Sequence, residues 1–267
     1  MFLTLRSKSS TFLNVLVKRK SIRKFSSKSV TERNVQKIIQ IGQRAPTACS
    51  LQTYTVVWAK THEIKELVLT ACMVPKVIRN VPVVLIICSD TRRLAKTLDY
   101  LNADHCLKQG GGTSIKLMSM LDAGLAAQNM VMAAECLGLG SLFIGSAAAN
   151  QKVIEALKLP EGVVPLTLLL IGYPDEKPPT RPRLSASMIL HVDHYKDPTL
   201  SEIKVSLKHM NEELDREGYY QKYVNRPSDF HYADHIKRKT SVLANKRRDD
   251  EVNKILRRNS FFVDKME

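Results

Sequence analysis

With 267 residues, 44% of them hydrophobic and 25% charged, the chain is long enough to bury a large core and falls within ordinary globular usage. Its formal net charge of +15 favours anionic partners, whether nucleic acid, lipid headgroup or a phosphorylated ligand, and says nothing about fold. The five cysteines are odd in number, widely separated and without a CxxC pair, which argues against a disulfide framework or a thiolate zinc site and for a reducing compartment.

Before Glu32 the chain carries Arg6, Lys8, Lys18, Arg19, Lys20, Arg23 and Lys24 and no acid. Residues 1–12 are expected as a flexible tail; the same basic, Ser-rich end leaves a mitochondrial leader open beside a cytoplasmic location. An amphipathic helix is predicted over "TERNVQKIIQIGQRA", with Thr31 as N-cap and Val35, Ile38, Ile39 and Ile41 inward. A loop, "PTACSLQT", follows. Short β-branched or leucine-rich segments bounded by turn residues are predicted as buried strands over 54–59, 81–88, 141–145 and 165–173.

Between them, 114–137 reads as one long helix that is apolar on nearly every side, so it is buried by its own domain or by a second subunit, and a subunit interface is expected. The glycines at 110–112 before it read as a hinge. They lack the Lys-Ser/Thr of a P-loop and the preceding strand of a dinucleotide fingerprint. From 196 to 267 the chain turns charged and helical. Its aromatic residues, among them Tyr219, Tyr220, Tyr223, Phe230, Phe261 and Phe262, point to an extension that wraps another surface rather than a solvated tail. No apolar run is long enough for a membrane span.

The sequence contains no Walker A or HExxH motif and no recognisable catalytic triad, and His194, His231 and His235 lack metal-ligand spacing. The basic clusters carry more. Arg19, Lys20, Ser21 and Arg23 place cations and a hydroxyl within five residues, and Arg181 and Arg183 add two guanidinium groups downstream. Such groups hold a terminal phosphate through bidentate and charge-assisted hydrogen bonds.

These clusters occur in the order "KRKSIRKF", "RAPTACSLQTYTVVWA", "DAGLAAQNMVMAAECLGLGSLFIG" and "VPLTLLLIGYPDEKPPTRPRL". From about Leu13 to Leu184 this order resembles the nitroreductase family of FMN-dependent oxidoreductases, most closely its NADPH-preferring branch. The resemblance implies an α+β fold, a central sheet flanked by helices, in an intertwined homodimer with FMN at the subunit interface. It implies that Arg19, Lys20, Ser21, Arg23, Arg181 and Arg183 face the FMN phosphate and ribityl chain. Thr47, Cys49 and Gln52 would line the flavin from the partner subunit, with Ser50 toward the substrate, and Phe143, Ile144, Gly145 and Ser146 would run along the ring. Arg226, with Lys237 or Arg238, would meet the 2'-phosphate of NADPH, NADH being the other donor.

The implied reaction is ping-pong transfer of a hydride from nicotinamide through flavin to a small electron-poor acceptor such as a nitroaromatic, a quinone or free flavin, with no catalytic side chain required. This chain departs from the family pattern at Lys20, where arginine is usual, at Thr47 to Cys49, where serines are usual, and at Val74, where a glutamine is common. Those departures keep open a relative with another flavin reaction, dehalogenation or cofactor synthesis. A basic protein binding nucleic acid or an anionic surface is the alternative of a different class, though no nucleic-acid-binding motif is present.

Overall fold

The computed structural model describes residues 8–108, 111–259 and 261. The chain divides into two compact units, Met1–Pro178 with Asp250–Glu267, and Pro179–Asp249. This boundary lies earlier than the expected change of texture at 196, and the last residues return to the first unit.

The first unit opens with α1 (Lys8–Lys18), so residues 8–12 are helical where a tail is expected; residues 1–7 lie outside the described residues. In α2 (Glu32–Gly42), Thr31 caps the first turn by accepting from the Asn34 N–H at 3.2 Å. Val35 and Ile38 are buried, but Ile41 is 37% exposed. At 100° per residue Ile41 lies about 240° around the helix from Val35, which turns it away from the core.

A four-stranded antiparallel sheet follows in the order β1-β2-β4-β3: β1 (Tyr54–Trp58), β2 (Val83–Asp90), β3 (Gly140–Ile144) and β4 (Val163–Gly172). The expected segments match within two residues; β2 begins after Pro82, which has no ladder donor. Every residue of β2 is buried, because helices cover both faces. Leu85, Ile87, Leu169 and Ile171 pack with α2 and α5 (Thr113–Cys136). The alternate residues Val84, Ile86, Leu168 and Leu170 pack with α3 (His62–Ala71) and, through Val153, with α6 (Gln151–Ala156). Period-two alternation thus builds a helix, sheet, helix sandwich. A short helix, α4 (Arg92–Tyr100), follows β2. Val74, the position of the family's glutamine, is buried among Val68, Leu69 and Ile78 and belongs to the core.

α5 runs within one residue of the expected span. Gly112 takes a φ of 73° at its N-cap; Gly110 of the expected hinge lies outside the described residues. The inner face of α5 is buried, yet Leu117, Met118, Leu121 and Leu125 are exposed.

The second unit holds α7 (Leu200–Glu217), α8 (Tyr219–Val224), α9 (Tyr232–Thr240) and the start of α10 (Val242–Arg258). Met210, Leu214 and Tyr220 form its core, with Tyr219, Phe230 and Tyr232 against it, and Thr199 and Glu202 cap α7 with a reciprocal capping box. The far end of α10 belongs to the first unit. Ile255 and Phe261 pack on Ala149 and Val164, and Asn259 Oδ1 accepts from the Gly162 N–H at 2.8 Å. The extension therefore packs on its own chain through Ile255, Asn259 and Phe261; Phe262 lies outside the described residues.

Candidate functional site

The basic segment lies along the outer edge of the sheet. Ser21 bridges Ser141, with the Ile22 N–H donating to the Ser141 carbonyl at 3.0 Å, and Phe25 bridges Pro174. Gly140 permits this approach. A Cβ there would come within 2.4 Å of Ile22 Cγ1, nearer than two carbons can lie. A carboxylate in the next turn secures the segment: Glu176 Oε1 accepts the Arg23 and Lys24 N–H groups, the latter at 3.1 Å. Lys24 pairs with Asp175 at 2.9 Å, and this contact raises its pKa. Arg23 folds back, donating from Nη1 to the Ser21 carbonyl at 3.4 Å.

Arg19 and Lys20 face Glu135, at the end of α5. Burial raises the Glu135 carboxyl pKa while these two cations oppose the rise. Its Oε1 is buried without a hydrogen-bond partner. Arg19, Lys20, Ser21 and Arg23 are thus brought together beside the start of β3, each partly exposed.

At the other end of β3, Phe143 is 39% exposed and a Cβ at Gly145 would meet no atom within 4 Å. The Ile144 carbonyl accepts from Thr167 Oγ1 at 3.2 Å, and Ser146 Oγ donates to the Cys72 carbonyl at 2.6 Å. Ser146 is therefore tied inward to the chain. From Ser141 to Ile144 the strand advances about 10 Å, so one edge carries a cationic end and, along it, an open apolar end.

The loop with Thr47, Cys49, Ser50 and Gln52 is elsewhere. It precedes β1, at the opposite edge of the sheet from β3, three strand spacings or about 14 Å away. One chain does not bring these two groups of residues together. Cys49, Ser50 and Gln52 hold φ values of 48°, 55° and 52°, a left-handed region that costs roughly 1–2 kcal/mol for a residue with a Cβ. The ends of the loop are held by Asp122 of α5, which is 1% exposed. Its Oδ1 accepts from the Ala48 N–H at 2.9 Å, and its Oδ2 from the Thr53 N–H at 3.4 Å and Thr53 Oγ1 at 3.1 Å. From outside, Arg93 donates to the carbonyls of Gln52 and Tyr54, the second at 2.9 Å.

Arg181 and Arg183 belong to the second unit. The Arg181 guanidinium pairs with Glu217 and stacks 4.2 Å from the Tyr219 ring and 4.8 Å from that of Tyr223. In these contacts it anchors the turn between α7 and α8. Arg183 donates to the carbonyls of Arg181 and Pro182, bonds within its own turn. Arg226 lies 5.5 Å from the Phe230 ring. With Arg238 and Lys239 it surrounds His235, whose pKa is lowered chiefly by burial and further by these charges. Lys237 instead approaches Asp234 at 4.0 Å.

An open cavity of about 540 Å³ lies beside Arg92, Lys96, Tyr100 and Val163 and contains none of the expected residues. Among the described residues no His, Cys, Asp and Glu cluster could hold a metal, and no helix is long and apolar enough to cross a membrane.

Asp122, Arg93, Glu135 and Glu176 are the residues that sequence reasoning missed. A lone carboxylate in the middle of the apolar helix was the available signal for Asp122; nothing local marks Glu176, whose partners lie 152 and 153 residues away.

The chain resembles known proteins over this whole frame. Residues 16–173 match the model of the nitroreductase family. The chain is 31% identical over 204 residues to the FMN reductase [NAD(P)H] of Bacillus subtilis, covering 75% of this chain and 82% of that protein. It is 30% identical over 193 residues to the NADPH-flavin oxidoreductase of Vibrio harveyi, covering 72% and 78%. The solved structure of B. megaterium NfrA2 superposes with a TM-score of 0.83 at 26% identity, over 95% of this chain and 99% of that one. On its sequence and its sheet alike, the chain belongs to the nitroreductase family.

Proposed function

We propose that the protein is an FMN-dependent NAD(P)H oxidoreductase. The observation that carries this reading is the edge of β3, where Arg19, Lys20, Ser21 and Arg23 stand at one end and the exposed Phe143 and open Gly145 at the other. The residues fit the cofactor. Three cations and a hydroxyl suit a phosphate dianion, and among the described residues Arg19 and Lys20 make no ion pair with the nearby Glu135 carboxyl, whose upward pKa shift their charges oppose. The uncovered strand edge suits a planar ring, and its Gly145 allows close backbone approach. FMN, when bound, supplies a two-electron carrier between a reduced nicotinamide and an acceptor.

The chain's own contribution is orientation and exclusion of water. Phe143 to Ser146 offer a rigid floor, because Ser146 and Ile144 are tied to Cys72 and Thr167. Thr47, Cys49, Ser50 and Gln52 complete the site from a second copy of the chain, since their own edge is about 14 Å from β3. We assign the exposed stripe of α5 to that homodimer interface. Donor and acceptor share the one open face in turn, a ping-pong exchange. Planar, electron-poor acceptors (nitroaromatics, quinones, free flavin) suit such a face. Arg226 and Arg238 are the proposed partners of a 2'-phosphate, hence of NADPH over NADH.

The test is a spectrum. Purified protein released by denaturation should yield about one FMN per chain, and the apoprotein should retake FMN and pass electrons from NADPH to a quinone. Protein that neither carries nor binds FMN would overturn the proposal.

A further inference from the structure

The 47–52 loop holds three non-glycine residues in the left-handed region, Cys49, Ser50 and Gln52. Such a conformation persists only where its surroundings over-determine it. Here one buried carboxylate does so: Asp122 accepts from Ala48 at the start of the strained stretch and from both donors of Thr53 at its end. The two anchor points are five residues apart, and a single rigid helix supplies both acceptors. Arg93 grips the carbonyls of Gln52 and Tyr54 from the solvent side, so the loop is clamped between an anion within and a cation without. Asp122 has no basic partner among its hydrogen bonds; its three donors are all supplied by the loop.

We infer that Asp122 is a positioning residue for the oxidoreductase site: it fixes the 47–52 loop in the shape that Thr47, Cys49, Ser50 and Gln52 present to bound flavin. The inference rests on the flavin reading proposed above. It assigns Asp122 no contact with substrate or cofactor. A carboxylate suits the site because the Ala48 and Thr53 N–H groups at its two oxygens can only donate, and an asparagine amide would turn its NH2 toward one of them.

The experiment compares wild type, Asp122→Asn and Thr53→Val as apoproteins. FMN affinity is read by fluorescence titration, the bound flavin by its absorption bands, and the loop by hydrogen exchange. Asp122→Asn should weaken FMN binding tenfold or more and alter the bands. Exchange should accelerate at 48–53 while β2 and β4 keep wild-type protection. Thr53→Val, which removes only one of the three donors, should shift each quantity the same way by less. Wild-type affinity and loop exchange in Asp122→Asn would overturn the inference. If that variant loses protection in β2 and β4, Thr53→Val decides, and an unchanged loop and affinity there would overturn it. Failure of wild type to bind FMN would instead defeat the flavin reading, and loop exchange would still show whether Asp122 holds the loop.

Discussion

Arg23 and Lys24 are neighbours whose side chains do different work. Lys24 is engaged by Asp175 at 2.9 Å, while the Arg23 backbone N–H donates to Glu176 and its guanidinium donates to the Ser21 carbonyl at 3.4 Å. Substituting the Arg23 side chain therefore keeps the backbone anchor to Glu176 and removes the cation together with its 3.4 Å bond to the Ser21 carbonyl. A hydrogen bond to a charged group contributes roughly 1.5–3 kcal/mol, or about ten- to a hundredfold in affinity. Arg23→Ala should weaken FMN binding by that factor, whereas Lys37→Ala, on the exposed side of α2, should leave it unchanged; equal affinities in a fluorescence titration would refute the phosphate assignment. The grouping of Arg19, Lys20, Ser21 and Arg23 is legible in sequence because they are contiguous. The fate of Arg181 is not, since its partners Glu217, Tyr219 and Tyr223 lie more than 35 residues downstream and are reached only through the packing of α7 and α8.

At the scale of elements, period and punctuation carry far. Thr31 starts α2, Pro82 delays β2, and the largely apolar α5 is found within one residue of its expected ends. Periodicity cannot tell which side of a helix meets which neighbour, and so Ile41 reads as inward and Asp122 goes unremarked. The packing of α8 on α9 has a pH signature. His235 stacks 5.5 Å from the Tyr220 ring, and burial, then Lys239, Arg238 and Arg226, lower its pKa from 6.5. A depressed folded pKa means that the unfolded segment binds the proton more tightly. The stability this neutral imidazole contributes is full above pH 6.5 and falls as pH drops below it toward the folded value. Protection factors in α8 and α9, taken against the intrinsic exchange rate at each pH, should therefore fall on acidification from pH 7 to 5 by no more than one proton's worth, and His235→Gln should flatten that dependence. An identical profile in the variant would place the acid sensitivity elsewhere.

For the whole molecule, the sheet order bears on the proposed dimer. β1 and β3 are opposite edges, and in the proposed homodimer the loop before β1 of one copy and the basic segment beside β3 of the other serve one flavin. The proposed interface would also cover α5, whose Leu117, Met118, Leu121 and Leu125 are 56%, 41%, 52% and 36% exposed on a helix otherwise built for a core. A leucine moved from water to a packed interface contributes about 1.5–3 kcal/mol, and a two-fold axis brings each position in twice. Because Leu121 is half exposed in the single chain, Leu121→Glu should leave the fold intact by circular dichroism. It should raise the dimer dissociation constant about a hundredfold or more, the equivalent of roughly 3 kcal/mol. FMN should be lost with the dimer, since each site would keep its cationic edge and lose the loop contributed across the axis. Sedimentation at micromolar concentration reads the mass and the bound flavin absorbance together. A Leu121→Glu protein that stays dimeric would remove α5 from the interface, and a monomer that holds FMN as tightly as wild type would show that one chain builds the site alone.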